Sequence, residues 1–108
     1  NAIYFETGKY SIADSVKPYL QTIISTLKKN VKLKIELSGF TDDVGSVQAN
    51  EALALRRAQA VSDYLIAGGI APDRIKARGL PHLKTNQTHD SEQFRAFNRK
   101  VTFQYVFK

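Results

Sequence analysis

The stretch Ser38-Gly-Phe-Thr-Asp-Asp-Val-Gly-Ser-Val-Gln-Ala-Asn-Glu-Ala-Leu-Ala-Leu-Arg-Arg-Ala-Gln-Ala-Val-Ser-Asp-Tyr-Leu65 reads as the end of a strand, a polar turn and a long helix. On a helical wheel, at about 100° per residue, Ala49, Leu53, Ala54, Ala58, Ala60, Val61, Tyr64 and Leu65 gather into one apolar stripe. Arg56, Gln59, Ser62 and Asp63 fall opposite, as a solvated face should. Two residues break the pattern: Asn50 and Arg57 sit inside the apolar stripe, two turns apart and in line. A guanidinium on a core-facing stripe carries a large desolvation penalty unless something pairs with it. Two explanations are open. Arg57 forms an internal ion pair with a nearby carboxylate, or it walls a shallow pocket at the first turns of the helix. Asp42 and Asp43, in the turn just before, are the acidic counterparts. An Arg fork facing a carboxylate across a gap suits a ligand carrying both a carboxylate and an ammonium.

The rest of the chain supplies a frame for this run. Ile3-Tyr4-Phe5 is a short apolar strand closed by Thr7-Gly8. Val16, Tyr19, Leu20, Ile23, Ile24 and Leu27 recur at three and four, predicting a helix from about Asp14 to Lys29. Asp14 or Ser15 can cap it, Pro18 falls in its first turn or so, and Asn30 can end it. Val31 to Gly39 alternates strictly, with Leu33, Ile35 and Leu37 on one face and Lys32, Lys34, Glu36 and Ser38 on the other. The second helix is expected over about Val47 to Ala67, ended by Gly68-Gly69 as a left-handed cap. Ala71-Pro72-Asp73 is a turn, and Ile75, Ala77 and Gly79 mark a weak third strand. Leu80 to about Gln93 is a polar surface loop, and Ser91 to Phe97 can form a short helical turn. Val101, Phe103, Tyr105 and Phe107 then alternate with Lys100, Thr102 and Gln104 in a last strand whose aromatics belong to the core side.

The fold class is therefore α/β, an α+β sandwich. Its order is β-α-β-α-β-β, in a mixed four-stranded sheet with two long helices packed on one face. Off the main stripe, Leu55 and Ile66 are expected to pack on the first helix. All 108 residues, 1–108, fit one domain, here expected to be excised from a larger envelope protein. With no cysteine, the chain has no disulfide frame and no thiolate metal site. Its formal charge of +6 permits acidic partners, but the basic residues are scattered from Lys9 to Lys108 without a block of five or six. His82 and His89, the two histidines, both fall in the polar loop, which argues against a metal centre or a catalytic base. No metal, no cofactor and no catalytic residue is expected. A nucleic-acid module is disfavoured because the strand aromatics share the buried side of the sheet.

Gly39-Phe-Thr-Asp42, extended to Gly-x-Thr-Asp-x-x-Gly45, is followed by Asn50-x-x-Leu53-x-x-x-Arg57-Ala58-x-x-Val61-x-x-Tyr64-Leu65. Together these resemble the signature of the OmpA-like C-terminal domain. Gly69-Ile70, Arg74-Ile75, Ala77-x-Gly79, Asn98-Arg99-x-Val101 and the opening Ile3-Tyr-Phe-Glu-Thr-Gly8 continue the likeness in one register over essentially the whole chain. The resemblance implies a periplasmic, non-enzymatic peptidoglycan-binding module of a Gram-negative envelope, attached to the outer membrane through its parent protein. That parent would be porin-like, a lipoprotein or a flagellar stator subunit. It implies that Asp42 and Arg57, fifteen residues apart, hold the diaminopimelate of the stem peptide, with Thr41, Asn50 and Phe40 completing the pocket. Asp43, Leu53, Asn98 and Arg99 are secondary candidates. Ala54 stands where the family often has Ser, and Lys100 where a second Arg is common. The expected partner is the stem peptide, with no nucleic acid, and a membrane only through an anchor or barrel that the sequence lacks. A homodimer stays open. Arg57→Ala and Asp42→Ala are each expected to abolish binding and leave the fold largely intact. The alternative is a structural or dimerising domain of the same fold, with Arg57 in an internal ion pair and no ligand.

Overall fold

A computed structural model describes residues 2–6, 9–40, 47–80 and 99–107. Strand β1 spans Ala2–Tyr4 and helix α1 Lys17–Lys29, preceded by a 3-10 turn over Asp14–Val16. Strand β2 spans Leu33–Gly39, helix α2 Val47–Ala67, β3 Ile75–Gly79 and β4 Lys100–Phe107, with a second 3-10 turn over Pro72–Arg74. The sheet order is β1-β4-β2-β3. Strand β3 is parallel to β2, while β4 lies antiparallel to both β2 and β1. The two strand-helix-strand crossovers thus join parallel strands, as expected, with the last strand inserted between β1 and β2. The expected turn over Ser91–Phe97 and the closure at Thr7-Gly8 lie outside the described residues.

The alternation in β2 is realised without exception: Leu33, Ile35, Leu37 and Gly39 are buried and the residues between them are half-buried. They meet Leu20, Ile23, Ile24 and Leu27 of α1 and Ala58, Val61 and Leu65 of α2 in one core, which Ile3, Ile70 and Val101 complete. Both helices therefore cover the same face of the sheet. Phe103 and Tyr105 pack against this core, their rings edge to face with centroids 5.5 Å apart. Burial pushes the Tyr105 phenol up, opposed by its hydrogen bond with Thr26. Phe107 departs from expectation. It is 75% exposed, although its strand alternates to the end.

The start of α1 also differs. Neither Asp14 nor Ser15 caps it; Val16 holds that position with no side-chain bond. Asp14 instead pairs with Lys17 at 2.7 Å. The other end follows the sequence: the Asn30 amide donates to the Thr26 carbonyl at 2.9 Å. Helix α2 ends in a Schellman motif. Gly69 has φ +106°, its N–H donates to Ile66 O at 2.9 Å, and Ile70 N–H donates to Leu65 O at 3.1 Å. The side chain of Arg74, a residue without an assigned role in the sequence pattern, reaches under the α1–β2 connection. It donates to the carbonyls of Leu27, Asn30 and Leu33 at 2.6, 2.8 and 2.8 Å, that of Leu27 being one of those the helix end leaves without an intrahelical partner.

What sets the height of α2 over the sheet is a pair of glycines. A Cβ on Gly39 would lie 1.9 Å from the Ala54 carbonyl oxygen, and one on Gly79 would lie 2.6 Å from Leu55 N. The backbone of α2 therefore rests on the ends of β2 and β3. The turn carrying Leu55 sits over β3 rather than against α1, and Ile66 is 37% exposed, so the expected packing of this pair on the first helix is not what the fold uses. Because the obstacle at Gly39 is main chain, it cannot rotate aside. We expect Gly39→Ala to lower the unfolding free energy by about 3 kcal/mol or to prevent folding, measured by urea denaturation; Ala at the exposed position of Gln59 is the neutral control.

Candidate functional site

Pairing Gly39 with Val101 and Gly79, and Tyr4 with Lys100, puts the last residues of β1, β2 and β3 and the first of β4 along one edge of the sheet. The chain continues from that edge as Phe40, whose N–H donates to Lys100 O at 2.7 Å, and as Leu80, whose N–H donates to Gly39 O at 2.9 Å. Carboxyl ends of parallel strands are where open α/β sheets place their ligands. The N-terminal half of α2 lies directly above, held down by the two glycines.

On that half of the helix Asn50 is 6% and Arg57 0% exposed, so both residues that break the apolar stripe do point inward. Seven residues of helix separate them by about 10 Å. Arg57 Nε donates to Lys9 O at 2.8 Å and Nη2 to Glu6 O at 3.0 Å. Its guanidinium carbon stands 5.5 Å from the centroid of the buried Phe5 ring. Glu6 O also accepts from Lys9 N–H at 3.0 Å. One guanidinium thus clamps both sides of the turn that follows β1, and the same carbonyls offset the desolvation of its charge. A guanidinium has five N–H donors, so a clamp through Nε and Nη2 is compatible with a further acceptor on the same fork.

Arg99 closes the arrangement from the β4 side. It is 6% exposed; its carbonyl accepts from Phe5 N–H at 2.8 Å, and its Nε donates to Phe5 O across a long 3.4 Å. Beside it, Lys100 Nζ lies 5.8 Å from the centroid of the half-buried Phe40 ring. Leu53 is half-buried on the helix, whereas Ala49 is exposed although the wheel placed it on the apolar stripe. Ala54 is fully buried against Gly39. The structure therefore brings Phe40, Asn50, Leu53, Arg57 and Arg99 to one end of the sheet. Thr41, Asp42, Asp43 and Asn98 lie outside the described residues, as do His82 and His89.

Sequence reasoning missed the contribution of Phe5, Glu6 and Lys9. Two of them act through main-chain carbonyls, which leave no mark in side-chain patterns; the one available signal was that a buried Arg must find acceptors. Among the described residues no group of three or more His, Cys, Asp or Glu could hold a metal ion, and no helix is long and apolar enough to cross a membrane. The clamp also corrects the expectation that Arg57→Ala would leave the fold largely intact. Arg57→Met should lower stability by about 2–4 kcal/mol, since two part-buried carbonyls lose a charged donor, and Arg57→Lys should recover only part. Urea denaturation of both variants measures this.

A profile of the OmpA family matches residues 4–99. Over 82 residues the chain is 34% identical to the peptidoglycan-binding protein ArfA of Mycobacterium bovis, covering 76% of this chain and 25% of that protein. Over 60 residues it is 47% identical to outer membrane protein A of Citrobacter freundii, covering 54% of this chain and 25% of that protein. The chain thus spans 25% of the length of these curated relatives. The peptidoglycan-associated lipoprotein of Burkholderia pseudomallei superposes with a TM-score of 0.90 at 30% identity, covering 97% of this chain and 89% of that one. The C-terminal domain of Helicobacter pylori MotB superposes with a TM-score of 0.85 at 24% identity, covering 100% and 85%, a likeness of fold alone.

Proposed function

We propose that this chain, which belongs to the OmpA family, binds peptidoglycan without covalent chemistry, through the diaminopimelate of the stem peptide. The observation that carries the proposal is the fully buried Arg57, fixed by the carbonyls of Glu6 and Lys9 beneath the first turns of α2. A guanidinium already held on a rigid helix loses little side-chain freedom when it takes a carboxylate, which is what preorganisation means for a binding site. In this reading the Arg57 guanidinium receives the carboxylate of the D-centre of diaminopimelate. Asp42 receives the ammonium on the same carbon, and the positive end of α2 adds to carboxylate binding. Thr41, Asn50 and Phe40 complete the pocket, with Asp43, Leu53, Asn98 and Arg99 around it. Lys100 keeps a charge where a fork would give a second bidentate contact. The peptidoglycan-binding character of ArfA, named for it, agrees with this ligand class.

By the same reading the domain is part of a longer envelope protein and works in the periplasm, tethering the outer membrane or an envelope complex to the wall. One observation favours the purely structural alternative: the Arg57 clamp is a sufficient reason for a buried Arg in the absence of any ligand. The two readings part at Asp42. Asp42→Ala should leave urea stability within about 0.5 kcal/mol and reduce co-sedimentation with purified sacculi by about tenfold or more, since a charged partner of the ligand is removed. Unchanged co-sedimentation of that variant would assign Arg57 to the fold alone.

A further inference from the structure

We infer that the helix-free face of the sheet docks on an anionic lipid bilayer, a surface separate from the proposed stem-peptide pocket. Register decides what this face carries. Glu36 pairs with Lys76 and Ser38 with Arg78 across β2 and β3, while Lys34 pairs with Val106, Glu36 with Gln104 and Ser38 with Thr102 across β2 and β4. Tyr4 and Lys100 pair on β1 and β4. Paired residues share a face, and this one is opposite to buried Leu33, Ile35 and Leu37. Lys34, Lys76 and Arg78 therefore project from it, with Lys100 at its border beside Phe40, and Lys32 lines the same groove of about 390 Å³ as Lys34, Arg74 and Val31. The acidic residues there, among those described, are Glu36 and, at the rim, Asp73. Much of the excess positive charge of the chain is thus collected on the side that neither helix covers.

The pattern selects the kind of polyanion. The cations are spread over neighbouring strands, with Lys34 on β2, Lys32 just before it, and Lys76 and Arg78 on β3, where Lys76 and Arg78 stand opposite Glu36 and Ser38, so they form an open two-dimensional array instead of a single track. Such an array matches the plane of lipid phosphates, to which basic residues are drawn over roughly a Debye length. The face also has apolar groups that an interface accepts. Val31 is 77% exposed at the corner of the turn in which Leu33 N–H donates to Asn30 O, and Tyr4 is 48% exposed on the β1 side. Base stacking finds no row of aromatics along β4 on this face, because Phe103 and Tyr105 lie on the helix side.

The test is co-sedimentation of the 108-residue chain with phosphatidylcholine vesicles, with and without phosphatidylglycerol at roughly one-third, in about 0.05 M and about 0.3 M sodium chloride. Binding should require phosphatidylglycerol and fall by about tenfold between the two salt concentrations. Lys32→Glu/Lys34→Glu/Lys76→Glu should weaken it by about tenfold or more and leave co-sedimentation with sacculi unchanged. If that variant does not fold, Lys34→Gln/Lys76→Gln, read the same way, decides. Val31→Ser should weaken vesicle binding about threefold. No binding at low salt, equal binding to pure phosphatidylcholine, or charge variants that bind as the parent would each overturn the inference. Retention by soluble polyphosphate without binding to vesicles would replace the bilayer by a dissolved polyanion and overturn it as well.

Discussion

Everything at the candidate site depends on how closely the backbone of α2 rests on the sheet. The Ala54 carbonyl occupies the place of a side chain at Gly39, and the turn carrying Leu55 does the same at Gly79. These contacts are main chain against main chain, so they fix the helix in translation and in rotation together. Once fixed, Ala54, Ala58, Val61 and Leu65 meet the core. The same rotation necessarily drives Asn50 and Arg57 inward at the sheet edge where β2 and β3 end. The polar pair is therefore a consequence of seating the helix, and the protein answers the desolvation of Arg57 locally, with carbonyls from the turn after β1.

This arrangement makes Arg57 a tie within the fold, and the proposed binding role draws on the same tie. Clamping Glu6 and Lys9 ties β1, at the edge of the sheet, to the helix above it, and Arg99 adds a second tie between the same turn and β4 through its bonds with Phe5. A guanidinium held this firmly cannot swing away to solvent, which is the condition under which a fork discriminates well between carboxylates. Arg74 performs a comparable task at the opposite end, holding the carbonyls of the α1–β2 connection. Two arginines, one at each end of the sheet, thus satisfy main-chain acceptors that the strands and helices leave over.

Most of the architecture was legible in the sequence because the elements have clean periods. Strict alternation over Val31–Gly39 gave β2, and the glycine pair after Ala67 gave the end of α2 where Gly69 adopts its positive φ. The stripe-breaking Asn50 and Arg57 were legible for the same reason: burial was forced by their neighbours. The insertion of β4 between β1 and β2 was not, since period says which face a strand buries and nothing about which strand lies beside it. Phe107 shows a related limit. Its alternation is correct and it pairs with buried Leu33, yet it stays exposed, so the period gives its side of the sheet and not its cover. The missing cap at Asp14 reflects competition, since Lys17 takes the carboxylate. The acceptors of Arg57 and Arg74 were hidden because carbonyls are common to every residue. The resemblance supplied Asp42 as the ligand partner; the residues alone left Asp42 and Asp43 equivalent.

The central claim is that the end of the sheet beside Arg57 recognises an amino acid bearing a carboxylate and an ammonium on one carbon at the end of a side chain. Titration of isotope-labelled protein with meso-diaminopimelate, and separately with lysine, followed by amide shifts in NMR spectra, tests it most directly. Lysine has the second ammonium and lacks the second carboxylate, so it isolates the contribution of the fork. Saturable shifts centred on Phe40–Asp43, Asn50–Arg57 and Asn98–Arg99, stronger for diaminopimelate than for lysine, are the predicted result. Shifts of equal size with both, or none that saturate with either or with a stem peptide, would contradict it and leave Arg57 as a clamp of the fold.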